Sequence, residues 1–275
     1  MIKNNSSLRN STTPISKPNM TQHAHAMITG GTSGIGLAIA KVLSAKGYRL
    51  SICARSTPTE DFLLQFENSQ NCQFLPMDVC EPNSIKEAVT LAQEKWGPVS
   101  VLVNNAGQAQ SAPFEKSSDE LFEHMMDINL MGAVRCIRAV LPEMRMAPWG
   151  RIINVASTAG LVGYAYTSAY CASKHALVGY TRSLALELAK TKITVNAVCP
   201  GFTDTPLAEE AISNITTKTG KSAEQALKDL SQFNPMGRLI KPQEVAQTVA
   251  WLCSEGSSGI NAQSIAIDGG EVMTG

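Results

Sequence analysis

Apolar positions along the chain fall into two patterns: short unbroken runs, and longer stretches where they recur every three or four residues. The runs at 24–29, 49–54, 72–76, 99–103, 151–156, 193–198 and 264–267 predict strands. The stretches at 34–46, 82–95, 118–141, 169–190 and 243–251 predict helices, because a 3.6-residue period gathers their apolar side chains on one face. In the first of them Ile35, Ile39, Val42 and Leu43 share that face, and Gly47 ends it. Pro82 suits a first helical turn, where its missing N–H costs nothing. Ser118 reads as a cap and Pro142 as a stop. Strands without polar alternation are buried on both faces, the signature of a parallel sheet covered by helices on either side. Right-handed crossovers then give a doubly wound α/β layer structure of about seven strands. No internal repeat or linker follows residue 24, so 24–275 reads as one domain.

Residues 1–23 differ: they are rich in Asn, Ser and Thr and hold no apolar period, which predicts a flexible tail. They lack the apolar centre of a secretory signal, and a transit peptide finds only three basic residues and no amphipathic period there. His23 and His25, two apart on one side of a strand, read as surface residues rather than metal ligands.

Composition narrows the function. A content of 44% hydrophobic and 17% charged residues allows a large core. Lys plus Arg equals Asp plus Glu at 23 each, which argues against a nucleic-acid partner. No apolar run approaches the roughly 18 residues of a membrane span. The seven cysteines, 53, 72, 80, 136, 171, 199 and 253, form no CxxC pair and have no His at ligand spacing. They predict neither disulfides nor a metal site, but buried thiols in a reducing, cytoplasmic setting.

Candidate chemistry starts at the turn after the first strand, Thr29-Gly30-Gly31-Thr32-Ser33-Gly34-Ile35-Gly36. Glycines let backbone approach a phosphate closely, and the helix N-terminus behind them offers free N–H groups and partial positive charge. A purely structural glycine turn would look the same, and the spacing Gly-x3-Gly-x-Gly is not the common dinucleotide fingerprint. Further segments follow in order: Asn104-Asn105-Ala106-Gly107 after the fourth strand, Ser157 after the fifth, Tyr170-Cys171-Ala172-Ser173-Lys174, Pro200-Gly201 after the sixth, and Asp268-Gly269-Gly270 after the last. Over residues 24–270 this series resembles the short-chain dehydrogenase/reductase family.

The resemblance implies a single Rossmann-type domain, hydride transfer between a nicotinamide cofactor and a ketone or secondary alcohol, and a homotetramer or homodimer. It assigns Gly30, Thr32, Ser33, Gly34, Ile35 and Gly36 to the pyrophosphate, and Asp78 and Val79 to the adenine, though Asp78 equally suits a turn. It assigns Asn105, Ala106 and Gly107 to the cofactor and Pro200, Gly201, Thr203 and Thr205 to its nicotinamide end, and has Asn104 lie near the cofactor and steady the central sheet. The second strand ends Ala54-Arg55-Ser56 with no acid before Glu60. An acid there would hold the ribose hydroxyls of NAD, whereas Arg55, helped by Ser56, suits the extra phosphate of NADP. NADP(H) is therefore expected, with NAD(H) the alternative and an ordinary exposed arginine the bland reading.

Tyr170 and Lys174 stand one helical turn apart on one face. An ammonium beside a phenol stabilises the phenolate and lowers its pKa from about 10, readying it for proton exchange. Ser157, at a strand's carboxyl end, is placed to hold a substrate oxygen. By resemblance Lys174 also bonds the nicotinamide ribose, and Asn129 anchors a water chain to it. A packed Tyr, a surface Lys, a capping Ser and a solvent-facing Asn are the bland readings of the same four.

Substrate must come from the variable stretches. The segment 158–166 is apolar with two tyrosines, and 204–234 carries apolar residues on helical patterns, a candidate lid. The stretches around Arg55 and Pro200 resemble ketoreductases of β-ketoacyl thioesters and polyketides, and also 3-hydroxyacyl-CoA dehydrogenases. Arg135, Arg138 and Arg145 suit either an acyl-carrier or CoA phosphate patch or a solvated face. A redox-sensing dinucleotide-binding scaffold is the non-enzymatic alternative, and a sugar-nucleotide epimerase a third.

Overall fold

The computed structural model describes residues 24–273, so the expectations for the tail 1–23 and for His23 lie outside the described residues. Seven parallel strands form one sheet in the order β3-β2-β1-β4-β5-β6-β7. They are β1 His25–Thr29, β2 Arg49–Ala54, β3 Cys72–Pro76, β4 Val101–Asn104, β5 Gly150–Val155, β6 Ile193–Pro200 and β7 Ser264–Ile267. The helices are α1 Gly34–Ala45, α2 Pro82–Trp96, α3 Asp119–Met126, α4 Gly132–Met144, α5 Ser168–Leu188, α6 Pro206–Thr219, α7 Ala223–Ser231 and α8 Pro242–Leu252. This is the expected doubly wound architecture.

Successive strand residues serve opposite layers, since side chains alternate across a pleated sheet. Ile28, Ile52, Val103 and Ile153 pack beneath α1 and α8, while Met27, Cys53, Leu102 and Ile152 pack beneath α2, α4 and α5. Two cores share one sheet, which is why the strands read as continuous apolar runs. The carboxyl ends of β1 and β4 part where the strand order reverses, and that crevice is where open α/β sheets bind ligands.

Three expectations fail. The helix predicted over 118–141 is interrupted by a π turn, Asp127–Met131. Pro142 does not stop α4 but sits inside its last turn. The fixed φ of proline suits a helix, and its missing N–H removes a single bond, to the carbonyl four residues back, without stopping the last turn. His25 is buried rather than a surface residue, at 2% exposure. Its Nδ1 lies 2.8 Å from the Gly97 carbonyl and its Nε2 2.8 Å from Ser51 Oγ, so local partners satisfy it inside the sheet. All seven cysteines are free thiols, six of them buried. Among the described residues no helix is long and apolar enough to cross a membrane, and no cluster of His, Cys, Asp and Glu is placed to hold a metal.

Candidate active site

A cleft of about 520 Å³ opens along the carboxyl edge of the sheet. Of the sequence-derived candidates, Gly30, Thr32, Ser33, Gly34, Ile35, Arg55, Ser56, Asp78, Val79, Asn105, Ala106, Gly107, Ser157, Tyr170, Lys174, Pro200, Gly201, Thr203 and Thr205 line it. Gly36 and Asn129 stand behind its wall.

The glycine turn explains its own composition. Gly30 and Gly34 adopt φ of +61° and +51°, the left-handed region where a side chain is strained. A Cβ on Gly36 would lie 2.2 Å from the Gly30 carbonyl oxygen and 2.5 Å from Asn105 Nδ2. Gly36 therefore lets the first turn of α1 close onto the loop rather than touching a ligand. The Asn105 side chain donates to the carbonyls of Thr29 and Gly30 at 3.1 and 2.9 Å. Thr29 Oγ1 accepts from the Asn105 and Ala106 amides at 3.0 and 2.9 Å. The two turns, more than seventy residues apart, are clamped together. Asn104 donates to Asn154, and Asn154 to Thr181, each at 2.8 Å, tying β4 through β5 to α5.

The cradle at the α1 N-terminus fits a pyrophosphate: two left-handed glycines, the Thr32 and Ser33 side chains, and no carboxylate in the helix's first turn. Arg55 is exposed at the end of β2, and no carboxylate among the described residues pairs with it. Asp78 lines the cleft and also takes the turn role: its Oδ1 accepts from the Cys80 amide at 2.9 Å.

Ser157 follows β5, and its Oγ accepts from the Ala159 amide at 3.1 Å. Tyr170 and Lys174 come from the first turns of α5, with the ammonium 5.8 Å from the Tyr170 ring centre. Lys174 Nζ donates to the Val155 carbonyl at 3.0 Å. Burial pushes the Tyr170 phenol up to about 12, against a lowering contribution from Ser157. Burial likewise pushes Lys174 down to about 8. The expected lowering of the phenol does not appear: its pKa is raised, chiefly by desolvation, and the group that opposes this is Ser157 rather than Lys174.

Asn129 sits in the π turn, 2% exposed, not facing solvent. Its Oδ1 accepts from the Gln108 amide, and its Nδ2 donates to the Gln108 carbonyl and to Ser173 Oγ, all within 3.1 Å. A Cβ on Gly107 would lie 2.7 Å from Asn129 Oδ1, so that glycine is what admits the asparagine. The basic patch does not form as one surface: Arg135 is turned to Asp127 at 2.6 Å and to the Val79 carbonyl. Of the expected lid, α6 borders the cleft through Leu207, Glu210 and Asn214, whereas α7 does not.

Sequence reasoning singled out neither Tyr164, which lines the cleft, nor Glu271, which bonds it from the chain end. It touched Tyr164 only as part of an apolar stretch. Glu271 follows a recognised motif, but its pairing crosses 107 residues and no local pattern announces it.

Comparison with known proteins agrees with this geometry. A family model described as "Enoyl-(Acyl carrier protein) reductase" matches residues 30–271. A D-beta-hydroxybutyrate dehydrogenase of Cupriavidus necator is 37% identical, covering 90% of this chain and 97% of the relative. A single-residue variant of actinorhodin polyketide ketoreductase, solved with NADPH, is 38% identical with a TM-score of 0.84, covering 90% of this chain and 97% of that one. L-sorbose reductase of Gluconobacter frateurii, solved with NADPH and L-sorbose, is 29% identical with a TM-score of 0.84, covering 92% and 98%. With the glycine turn, the 105–107 turn, Ser157, Tyr170, Lys174 and Pro200-Gly201 laid along one cleft, the chain belongs to the short-chain dehydrogenase/reductase family of oxidoreductases.

Proposed function

We propose that the cleft reduces a ketone with NADP(H), the substrate being a β-ketoacyl thioester or a similar small ketone. The observation that carries this is the convergence of Ser157, Tyr170 and Lys174 on one stretch of the cleft wall, beside Gly107 and Pro200. When bound, the dinucleotide supplies the hydride. The glycine turn and the α1 N-terminus hold its pyrophosphate, and Arg55 with Ser56 meets the 2′-phosphate. Asp78 and Val79 flank the adenine. Asn105, Ala106, Gly107, Pro200, Gly201, Thr203 and Thr205 border the nicotinamide half, and Lys174 and Tyr170 meet its ribose.

Ser157 Oγ holds the substrate oxygen. Tyr170 Oη gives it a proton as charge develops there. Lys174, pushed down to about 8, can release a proton to restore the phenol. Asn129 fixes the Gln108 loop and, through Ser173, the α5 turn that carries Tyr170. The names of the polyketide ketoreductase and the hydroxybutyrate dehydrogenase support the substrate class, and NADPH in two relatives supports the cofactor. Free thiols support a cytoplasmic setting, and Leu186, exposed on α5, a homotetramer or homodimer.

The test is initial rates over a ketone panel including acetoacetyl-CoA, with NADPH and NADH side by side. Tyr170→Phe should lower kcat by about 10²–10⁴-fold while cofactor binding persists. Arg55→Ala should raise KM for NADPH and leave KM for NADH. No turnover of any ketone would overturn the reading, and unchanged turnover in Tyr170→Phe would overturn the proton donor.

A further inference from the structure

Four separated stretches meet at the substrate end of the cleft: the loop after β5, the turn after β6, the segment following α7, and the turn after β7. Tyr164 stands where they meet. Its ring packs edge-on against Phe202 and Phe233, with centres 5.9 and 5.7 Å away, and Phe202 and Phe233 lie 5.5 Å apart. Its hydroxyl donates to Glu271 Oε1 and lies 2.8 Å from Thr158 Oγ1. A tyrosine held at both ends in this way presents a fixed apolar face, since its rotamer is locked by packing and by its hydroxyl.

The carboxylate behind that ring is sealed in. Glu271 Oε2 is buried and has no hydrogen-bond partner among the described residues. It would lie 2.9 Å from a Cβ on Gly201, itself a wall residue, so the carboxyl stands directly behind the cleft surface; burial raises its pKa, the donated Tyr164 hydroxyl opposes this and Asp268 adds to it. Other charges nearby do not cancel it. Asp268 is buried next to it, accepting from the Gly270 and Val272 amides, and Glu210 borders the cleft from α6. The cations on the wall are Arg55, at the β2 end, and Lys174, turned to the Val155 carbonyl. At the rim, Lys218 is exposed, 3.4 Å from the Ser111 carbonyl, and His124 is bonded to the Gln108 side chain.

We propose that Tyr164, positioned by Glu271, is the specificity-determining residue of the cleft: with Phe202 it takes the flank of an uncharged ketone bearing an apolar or aromatic group, and the carboxylate behind it turns away β-keto acid anions. This rests on the ketone-reducing reading. It separates the chain's substrate from a free hydroxy acid, the class in the name of one relative. A like charge without a counterion is the repulsive element that discrimination between similar substrates requires.

The experiment compares ethyl benzoylacetate with the benzoylacetate anion, by kcat/KM with NADPH and by calorimetric binding to the full chain. Wild type should favour the ester at least about tenfold in both. Glu271→Gln should narrow the ratio, chiefly by lowering KM for the anion, whereas Glu271→Asp, which keeps the charge, should retain it. Tyr164→Leu should raise KM for ethyl benzoylacetate about tenfold and that for ethyl acetoacetate far less. Equal or preferred binding of the anion by wild type overturns the inference, as does binding of neither, or an unchanged ratio in Glu271→Gln. Selective binding of the ester without turnover supports it and would instead remove the ketone-reducing reading.

Discussion

His25 makes the stability of the whole sheet pH-dependent in a window that can be stated in advance. The Gly97 carbonyl only accepts, so Nδ1 carries the hydrogen, and Nε2 accepts from the Ser51 hydroxyl. Ser51 Oγ in turn accepts from Gln73 Nε2 at 2.9 Å. A second proton on Nε2 would face a hydroxyl already oriented as a donor, inside a dry core. Burial pushes the imidazole down from 6.5 to about 4, with Arg49 adding to the lowering and the Gly97 carbonyl opposing it. The folded chain thus favours the neutral ring more than the unfolded chain does. Its contribution is whole above the unfolded value of 6.5 and is lost as pH falls toward 4. At about 1.4 kcal/mol per unit, the loss between about pH 7.5 and 4.5 comes to about 2–3 kcal/mol. Urea unfolding at fixed protein concentration, across that range, measures it. His25→Gln cannot titrate, so wild type should lose about 2–3 kcal/mol more than the variant on acidification. Parallel pH profiles for the two proteins would refute the reasoning.

Other consequences are as direct. Gly36→Ala places a methyl against the Gly30 carbonyl, where only backbone can yield, so NADP(H) affinity measured by fluorescence titration should fall about tenfold or more with helix content unchanged. Asn129→Ala leaves Gln108 backbone groups and Ser173 without their partner; kcat should drop with a smaller change in KM, and an unaltered kcat would contradict its positioning role. Glu244, forked to Arg238 and bonded to the Lys241 amide, is held down at about 2, so its contribution is present above 4.5 and fades as pH falls through 2. Because the pair is over a third exposed, Glu244→Gln should cost at most about 1 kcal/mol in urea unfolding at neutral pH.

Much of this was legible from the chain alone, and the exceptions share a cause. The strand runs and the turn glycines report local demands: burial on both faces, or a backbone that tolerates no Cβ. Periodicity therefore located β1 to β7 and the motifs located the cleft. What a window of sequence does not hold is the partner. His25 looked like an exposed strand residue because Gly97 and Ser51 are far away in the chain. Tyr170 and Lys174 were correctly placed on one face, yet spacing could not show that burial would raise the phenol and lower the ammonium. Tyr164 and Glu271 escaped notice for the same reason. The π turn was invisible because its residues fit a regular helical pattern.

That π turn also sets what lengths this region tolerates. A π turn accommodates one more residue than the α-helix around it, by bonding i to i+5. Deleting a single residue from Asp127–Met131 would let α3 and α4 run on as one regular rod. Because the π turn takes up the extra residue locally, the positions on either side of the deletion would keep their faces. Met125 and Cys136 would both stay in the core, so a one-residue shortening here would spare the fold and fall instead on the turn that holds Asn129 against Gln108 and Ser173.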